Sequence, residues 1–589
     1  MILAPAPRQL EVTGGRCPLA TLKADVSIDA SVASRPQGYV LTLTADAVRI
    51  EAHDEAGVFY ARQTLAQLRR QVDDDGSLAC VRIEDWPDLP TRGLMVDISR
   101  DRVPTMATLK SLIDGLAQLK VNQLQLYTEH TFAYAGHDAV WRDASPMTPD
   151  EILELDAYCA ARFIELVPNQ NCFGHMERWL KHEPYRALAE CPDGFIRDDL
   201  PEPFFTPDAK TLNPLDPGSI ALVEDLLGQL LPCFGSDTIN VGCDETFDLG
   251  KGKSQARCEE VGKGRVYLDF VKKVHGVCAK HGKTMQFWGD IVLHYPELLP
   301  EVKAELPGAV ALTWGYELDH PFDQETRAFA DAGLDYMVCP STASFVGIGG
   351  RSDVAVGNAF NAAAAGLANG ASGMLNTWWG DFGHWQPWAV NWPGIVAGAA
   401  AGWCADANRD MEVASVLDTL VFCDASGRLG EAVMELGRVR DDLKCNRDNA
   451  LGWALIRDEA ELVDGFLQLP WGGTGPITGE RLDAARARIE RATAGLALAD
   501  PKRGDAGLLI EELRIAARML THSADNLRAR IDAGVPRTRG LPDATKRTLH
   551  DDAADWLPPY REAWLRRSRP GGLSDSTAAI ERLIETYRA

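Results

Sequence analysis

Asp244 and Glu245 stand side by side in TINVGCDETFDLG, residues 238–250, with no cation next to them in the sequence. Carboxylates held this close disfavour double ionisation, so one can keep a proton and act as an acid while the other stays anionic. A solvated turn after a strand is the plainer alternative, because Asp and Glu are common wherever chain leaves a core. The run TINVGC is short and β-branched, as a buried strand is, and Gly242 lets backbone pack closely just before the pair. That places the carboxylates at a strand's carboxyl end, where α/β enzymes keep their chemistry. Side chains alternate along a strand, so the two serve one pocket only if the strand end is bent.

A second concentration of chemistry is aromatic. The segments WGDIVLHY, TWGYELDH and NTWWGDFGHWQPW hold much of the tryptophan of the chain. Any one of these rings could be core. Together, aromatic walls with a few carboxylates suit a sugar, whose C–H faces stack on indole while its hydroxyls seek charged hydrogen-bond partners.

Both features need elements to position them. From residue 91 onward short apolar runs alternate with longer helical patterns: RGLMVDI, VNQLQLY, FIELVPN, TINVGC, KTMQFWGD, AVALTWG, DYMVCP and SGMLNTWWGD. Eight strands separated by helices predict an α/β fold, a (β/α)8 TIM barrel over residues 89–405, with its site at the carboxyl ends of the strands. Polar and aromatic residues stand at those ends: Asp97, Glu129 with His130, Asn169 and Asn171, the Asp244–Glu245 pair, Trp288 with Asp290, Trp314, and Trp379 with Asp381. Residues 1–88 read as a small α+β domain. In it Tyr39, Leu41 and Leu43 share a strand face, Val48 and Ile50 share another, and Val58 to Leu68 follow helical spacing. Residues 406–589 read as a helical region, with Leu482, Ile489 and Leu496 seven apart and Leu509, Leu513, Ala516, Leu520 and Leu527 stepping by three, four or seven. Its charges read as a solvated face, with no chemistry assigned.

The whole chain narrows the function classes. Its 589 residues carry a formal charge of −25 and no basic stripe, which works against nucleic acid as a partner. No run reaches membrane-spanning length. The thirteen cysteines are odd in number and scattered through apolar segments such as LDAYCAARF and YMVCP. That usage, and an amino terminus without the pattern of a secretory signal, lead to an expected cytoplasmic location, with the periplasm open if a leader was removed. Homo-oligomers are compatible with this reading.

The barrel region resembles the family 20 glycoside hydrolases, the β-N-acetylhexosaminidases, and residues 38–70 resemble the small domain that often precedes their barrel. Four motifs carry the likeness: RGLMVD at 92–97, PNQNCFGH at 168–175, VGCDE at 241–245 and WGD at 379–381. The resemblance implies exo-acting removal of terminal β-linked GlcNAc or GalNAc from an oligosaccharide or glycoconjugate, without metal or other cofactor. Glu245 would protonate the glycosidic oxygen, and Asp244 would orient the 2-acetamido group. The acetamide oxygen would then attack to give an oxazolinium ion, one of the exceptions to the two-carboxylate rule. By the same resemblance Arg92 and Asp381 would hold ring hydroxyls, and His175 would stand near the acid. Trp288, Trp314 and Trp379 would wall the acetamide, with Glu129 and Asn171 also in the substrate site. Two residues depart from the family pattern. Asn171 stands for an Asp, and Phe345 stands where a Tyr would hold the acetamide oxygen, leaving Tyr316, Tyr295 or Tyr134 to supply that hydroxyl.

Two rival readings compete. A metal-dependent barrel hydrolase would draw on Asp97, His130, His137, Cys172 and His175, of which Cys172 and His175 have half a zinc spacing and no second pair. A non-catalytic sugar-binding protein would have no need of an intact acid.

Overall fold

The computed structural model describes residues 1–588 apart from 33, 200–202, 445–449, 459–460, 464–465 and 469–474. The chain opens with a five-stranded sheet in the order Gln9–Cys17, Leu78–Asp85, Tyr39–Leu43, Val48–Ala52, Ala24–Ile28. Helix Glu55–Arg69 is capped by Asp54, whose side chain accepts the Gly57 N–H. It presents Val58, Ala61, Leu65 and Leu68 to the core shared with Tyr39, Leu41, Leu43 and Ile50. The sequence signalled two of these strands clearly. Gln9–Cys17 and Ala24–Ile28 are exposed along almost their whole length, so no buried face marked them.

The expected barrel is present and closed. Its eight parallel strands are Thr91–Asp97, Gln123–Thr128, Glu165–Gln170, Thr238–Asn240, Thr284–Trp288, Val310–Trp314, Asp335–Cys339 and Gly373–Trp378. Met95, Tyr127, Trp288, Leu312, Met337 and Leu375 fill the interior as one cluster, so the barrel is a packed core and its upper layer is the floor of the site.

Two seams fix the barrel within the chain. Beneath it, Asp85 of the small domain accepts from Lys120 Nζ at 2.9 Å, Tyr39 Oη at 2.7 Å and Trp403 Nε1 at 2.9 Å, a buried charge with every neighbour paired. Above it, the carboxy-terminal helices Ala506–Ala533, Asp543–Arg567 and Leu573–Arg588 reach the loops that follow the strands, while Gly479–Leu498 packs on Leu429–Leu443 and on Ala506–Ala533. Arg102 donates to Ser568 Oγ and to the Gln386 carbonyl, both at 3.0 Å, and Trp385 Nε1 donates to the Ser576 carbonyl at 2.8 Å. The helical region thus braces the loops after the first and eighth strands. Among the described residues no helix is long and apolar enough to cross a membrane.

Candidate active site

The fourth strand ends at Asn240, and the chain then bends sharply. Gly242, Cys243 and Glu245 all take left-handed backbone, with φ of 65°, 69° and 49°. This is the bend that the alternation argument requires, and it folds both carboxylates onto one side. Nε2 of His175 lies 3.3 Å from Asp244 Oδ2 and 3.5 Å from Glu245 Oε2. A side chain at Gly174 would collide with the Asp244 carbonyl, which a Cβ there would meet at 1.8 Å. The third-strand loop can therefore close on the carboxylates only as glycine.

Asn171 orders this junction. Its Nδ2 donates to Asp244 Oδ1 at 2.8 Å, and its Oδ1 accepts the Phe173 N–H at 3.2 Å. Burial alone would raise the Asp244 carboxyl, but the His175 charge and the hydrogen bonds from His175 and Asn171 hold it below the usual range. Burial likewise opposes charge on His175, yet Asp244, with Glu245 adding to it, pushes that imidazole up to about 9. Asp244 is thus a fixed anion, while Glu245, its side chain 32% exposed, keeps access to solvent and to a leaving group.

The strand-one arginine is a correction. Arg92 is the second residue of the first strand, five residues and about 17 Å of extended chain below Asp97. Its guanidinium donates to the carbonyls of Lys120, Leu89 and Pro90 and to Gln37 Oε1, and it packs over Tyr60 and Trp403. It belongs to the seam with the small domain, at the wrong end of the barrel for the site. The arginine in the site is Arg100, three residues past Asp97. It pairs with Glu129 Oε1 at 3.1 Å and Asp97 Oδ2 at 3.4 Å, and it lies over the rings of Tyr127 and Trp379. Spacing offered one signal for it: an Arg just past a strand end, within reach of that strand's last carboxylate.

Glu129 is buried beside Arg100 and His175, its Oε1 4.0 Å from His175 Nδ1 and accepting from Arg100 and from the Tyr127 hydroxyl, the latter at 2.9 Å. Trp288, Trp379 and Tyr127 form the floor, and Trp314, Tyr316 and Phe345 pack against it. Trp314 stacks on Tyr316 with ring centres 5.1 Å apart, and Trp379 Nε1 donates to the Tyr316 hydroxyl at 2.7 Å. Of the three tyrosines weighed for the missing hydroxyl, Tyr316 alone belongs to this cluster. Tyr134 donates to Gln170 Oε1 within the barrel's outer core, and Tyr295 packs against that core too. Asp381 follows Gly380, whose N–H donates to Asp97 Oδ2 at 3.1 Å, and its charge acts on Arg100.

The residues of the metal reading do not converge. His137 is taken up by Asp225 and Tyr185, the Cys172 thiol by the Gln170 carbonyl, and Asp97 by the loop that carries Arg100. Among the described residues no three His, Cys, Asp or Glu side chains gather in a way that could hold an ion. A crevice of about 920 Å³ between the small domain, the barrel's outer helices and the helical region lacks paired carboxylates at its wall, and it is a seam apart from the site.

Comparison with known proteins agrees with this geometry. Residues 90–393 match the model of the glycosyl hydrolase family 20 catalytic domain, and residues 20–86 match domain 2 of the same family. A β-hexosaminidase of Akkermansia muciniphila is 27% identical over 286 residues, which are 44% of this chain and 57% of that protein. Human hexosaminidase D is 29% identical over 200 residues, 33% of this chain and 38% of that one. The chain therefore spans about half the length, or less, of these relatives. The crystal structure of Flavobacterium johnsoniae chitobiase superposes with a TM-score of 0.58 at 17% identity, over 96% of this chain and 98% of that one. That likeness is one of fold, and it includes the helical region.

Proposed function

Because the chain belongs to glycosyl hydrolase family 20, we propose that it is an exo-acting β-N-acetylhexosaminidase. In this reading it releases terminal β-linked GlcNAc or GalNAc from oligosaccharides or glycoconjugates by substrate-assisted, retaining catalysis. The observation that carries the reading is the bent strand end that turns Asp244 and Glu245 to one imidazole.

Each group then has a task. Asp244, kept anionic by His175 and Asn171, accepts the acetamide N–H and turns the amide oxygen toward the anomeric carbon. The aromatic floor and wall exclude water from that oxygen, and Tyr316 offers its hydroxyl proton to it, since the Trp379 N–H occupies the hydroxyl as an acceptor. Glu245 gives its proton to the departing oxygen as the C–O bond breaks and the oxazolinium ring closes. The same carboxylate then takes a proton from the water that opens the ring. The Arg100 fork, held by Glu129 and Asp97, and the Asp381 carboxylate bind ring hydroxyls.

A thiazoline that mimics the cyclic intermediate tests the nucleophile. It should inhibit at least a hundredfold better than the free sugar, as intermediate-like ligands do. A covalent glycosyl-enzyme trapped on a carboxylate would sink the reading.

A further inference from the structure

Asp290 ends the WGD turn of the fifth strand and has no part in the steps above. Its Oδ2 accepts the backbone N–H of Glu245 at 3.2 Å, while its Oδ1 is buried without a hydrogen-bond partner. Glu245 needs such a contact. Its φ of 49° is one that a side-chain-bearing residue keeps only where its surroundings hold it, and the strand ladder has already ended at Asn240. Asp290 is a firm support. The preceding Gly289 donates its N–H to the Leu312 carbonyl at 2.8 Å, and the Asp290 carbonyl accepts from the backbone N–H of His294, which caps the short helix Asp290–Leu293.

We propose that Asp290 is the positioning residue of the acid: its carboxyl oxygen locks the left-handed backbone of Glu245 and so aims the Glu245 side chain at the glycosidic oxygen. The proposal rests on the reading of Glu245 as the acid. Burial and the charges of Asp244 and Glu245 push the Asp290 carboxyl well above the usual range.

A misaimed acid has a signature that general destabilisation lacks, because proton donation matters for a poor leaving group and hardly for a good one. The test compares kcat/KM for a dinitrophenyl N-acetylhexosaminide and for a β-linked N-acetylhexosamine disaccharide in the full-length chain. Asp290→Ala should lose about a hundredfold on the disaccharide and less than about fivefold on the dinitrophenyl glycoside. Asp290→Asn, which keeps an acceptor oxygen and the side-chain shape, should retain the wild-type ratio of the two rates. Equal losses on both substrates, no loss at all, or an Asp290→Asn variant whose ratio shifts toward the good leaving group would each overturn the proposal. If Asp290→Ala fails to fold, the Asp290→Asn ratio decides alone. A wild type that cleaves neither substrate would contradict the functional reading, and this inference with it.

Discussion

Nε2 of His175 stands 3.3 Å from Oδ2 of Asp244, a buried ion pair at the centre of the site. The pair raises the imidazole from an ordinary value near 6.5 to about 9. Its contribution to stability is therefore lost as pH rises through about 9, is complete below about pH 6.5, and is lost again only in the acid range where Asp244, held below the usual carboxylate value, takes up a proton. The His175 ring resonances should accordingly titrate near pH 9 by NMR, and Asp244→Asn should bring the midpoint down by more than one unit. A midpoint below 7 in the wild type would show that the pair does not form.

The two arginines of the first strand and its loop separate stability from catalysis. Arg92→Met strands several buried carbonyls and should cost about 1–3 kcal/mol, read as a lower denaturant midpoint, with kcat/KM of the folded enzyme within about threefold of wild type. Arg100→Met removes a cation paired with Glu129 and Asp97, and it should lower kcat/KM by about a hundredfold or more. Comparable kinetic losses from both variants would return Arg92 to the substrate.

Asn171 should act through Asp244. Asn171→Leu keeps the volume and deletes the 2.8 Å hydrogen bond, so kcat should fall about tenfold to a hundredfold. In an Asp244→Asn background the same change should cost much less, because the group it orients no longer carries charge. Additive losses across this double-mutant cycle would mean that Asn171 works elsewhere.

Sugar choice falls to Asp381 and Arg100. Asp381 holds φ of 45°, a conformation that Asp tolerates better than Glu, which gives a backbone reason for the shorter carboxylate. A shorter reach leaves room for a bridging water, and such a water adapts to either orientation of the C4 hydroxyl. Both GlcNAc and GalNAc glycosides should be cleaved, and Asp381→Glu should change the ratio of their kcat/KM values more than their mean. A wild-type preference of about a thousandfold, roughly 4 kcal/mol, would contradict the water-filled gap.

The barrel was legible because each strand is an apolar run, and buried parallel strands carry that signature in consecutive residues. The pair Asp244–Glu245 was legible from adjacency alone, and alternation along the strand set a bend as the condition for both to serve one pocket, which the left-handed backbone of Gly242, Cys243 and Glu245 meets. What escaped were features set by distance along an element. RGLMVD offers an arginine, but which end of the strand it occupies depends on where the strand starts, and a few residues of register carry it from the site to the opposite seam. Arg100 lies in a loop without periodicity, and Asp290 is one carboxylate among many until the fold brings it to the Glu245 amide. The exposed outer strands of the small domain gave no hydrophobic face to read.

The central claim is that Glu245 is the acid of an N-acetylhexosaminidase. The most direct measurement is turnover of a phenyl β-N-acetylglucosaminide and its dinitrophenyl counterpart by the wild type and by Glu245→Gln. The account predicts that the wild type cleaves both, and that Glu245→Gln loses about a hundredfold to ten-thousandfold on the phenyl glycoside and far less on the dinitrophenyl one. Equal losses on the two, or a wild type inert toward both, would contradict it.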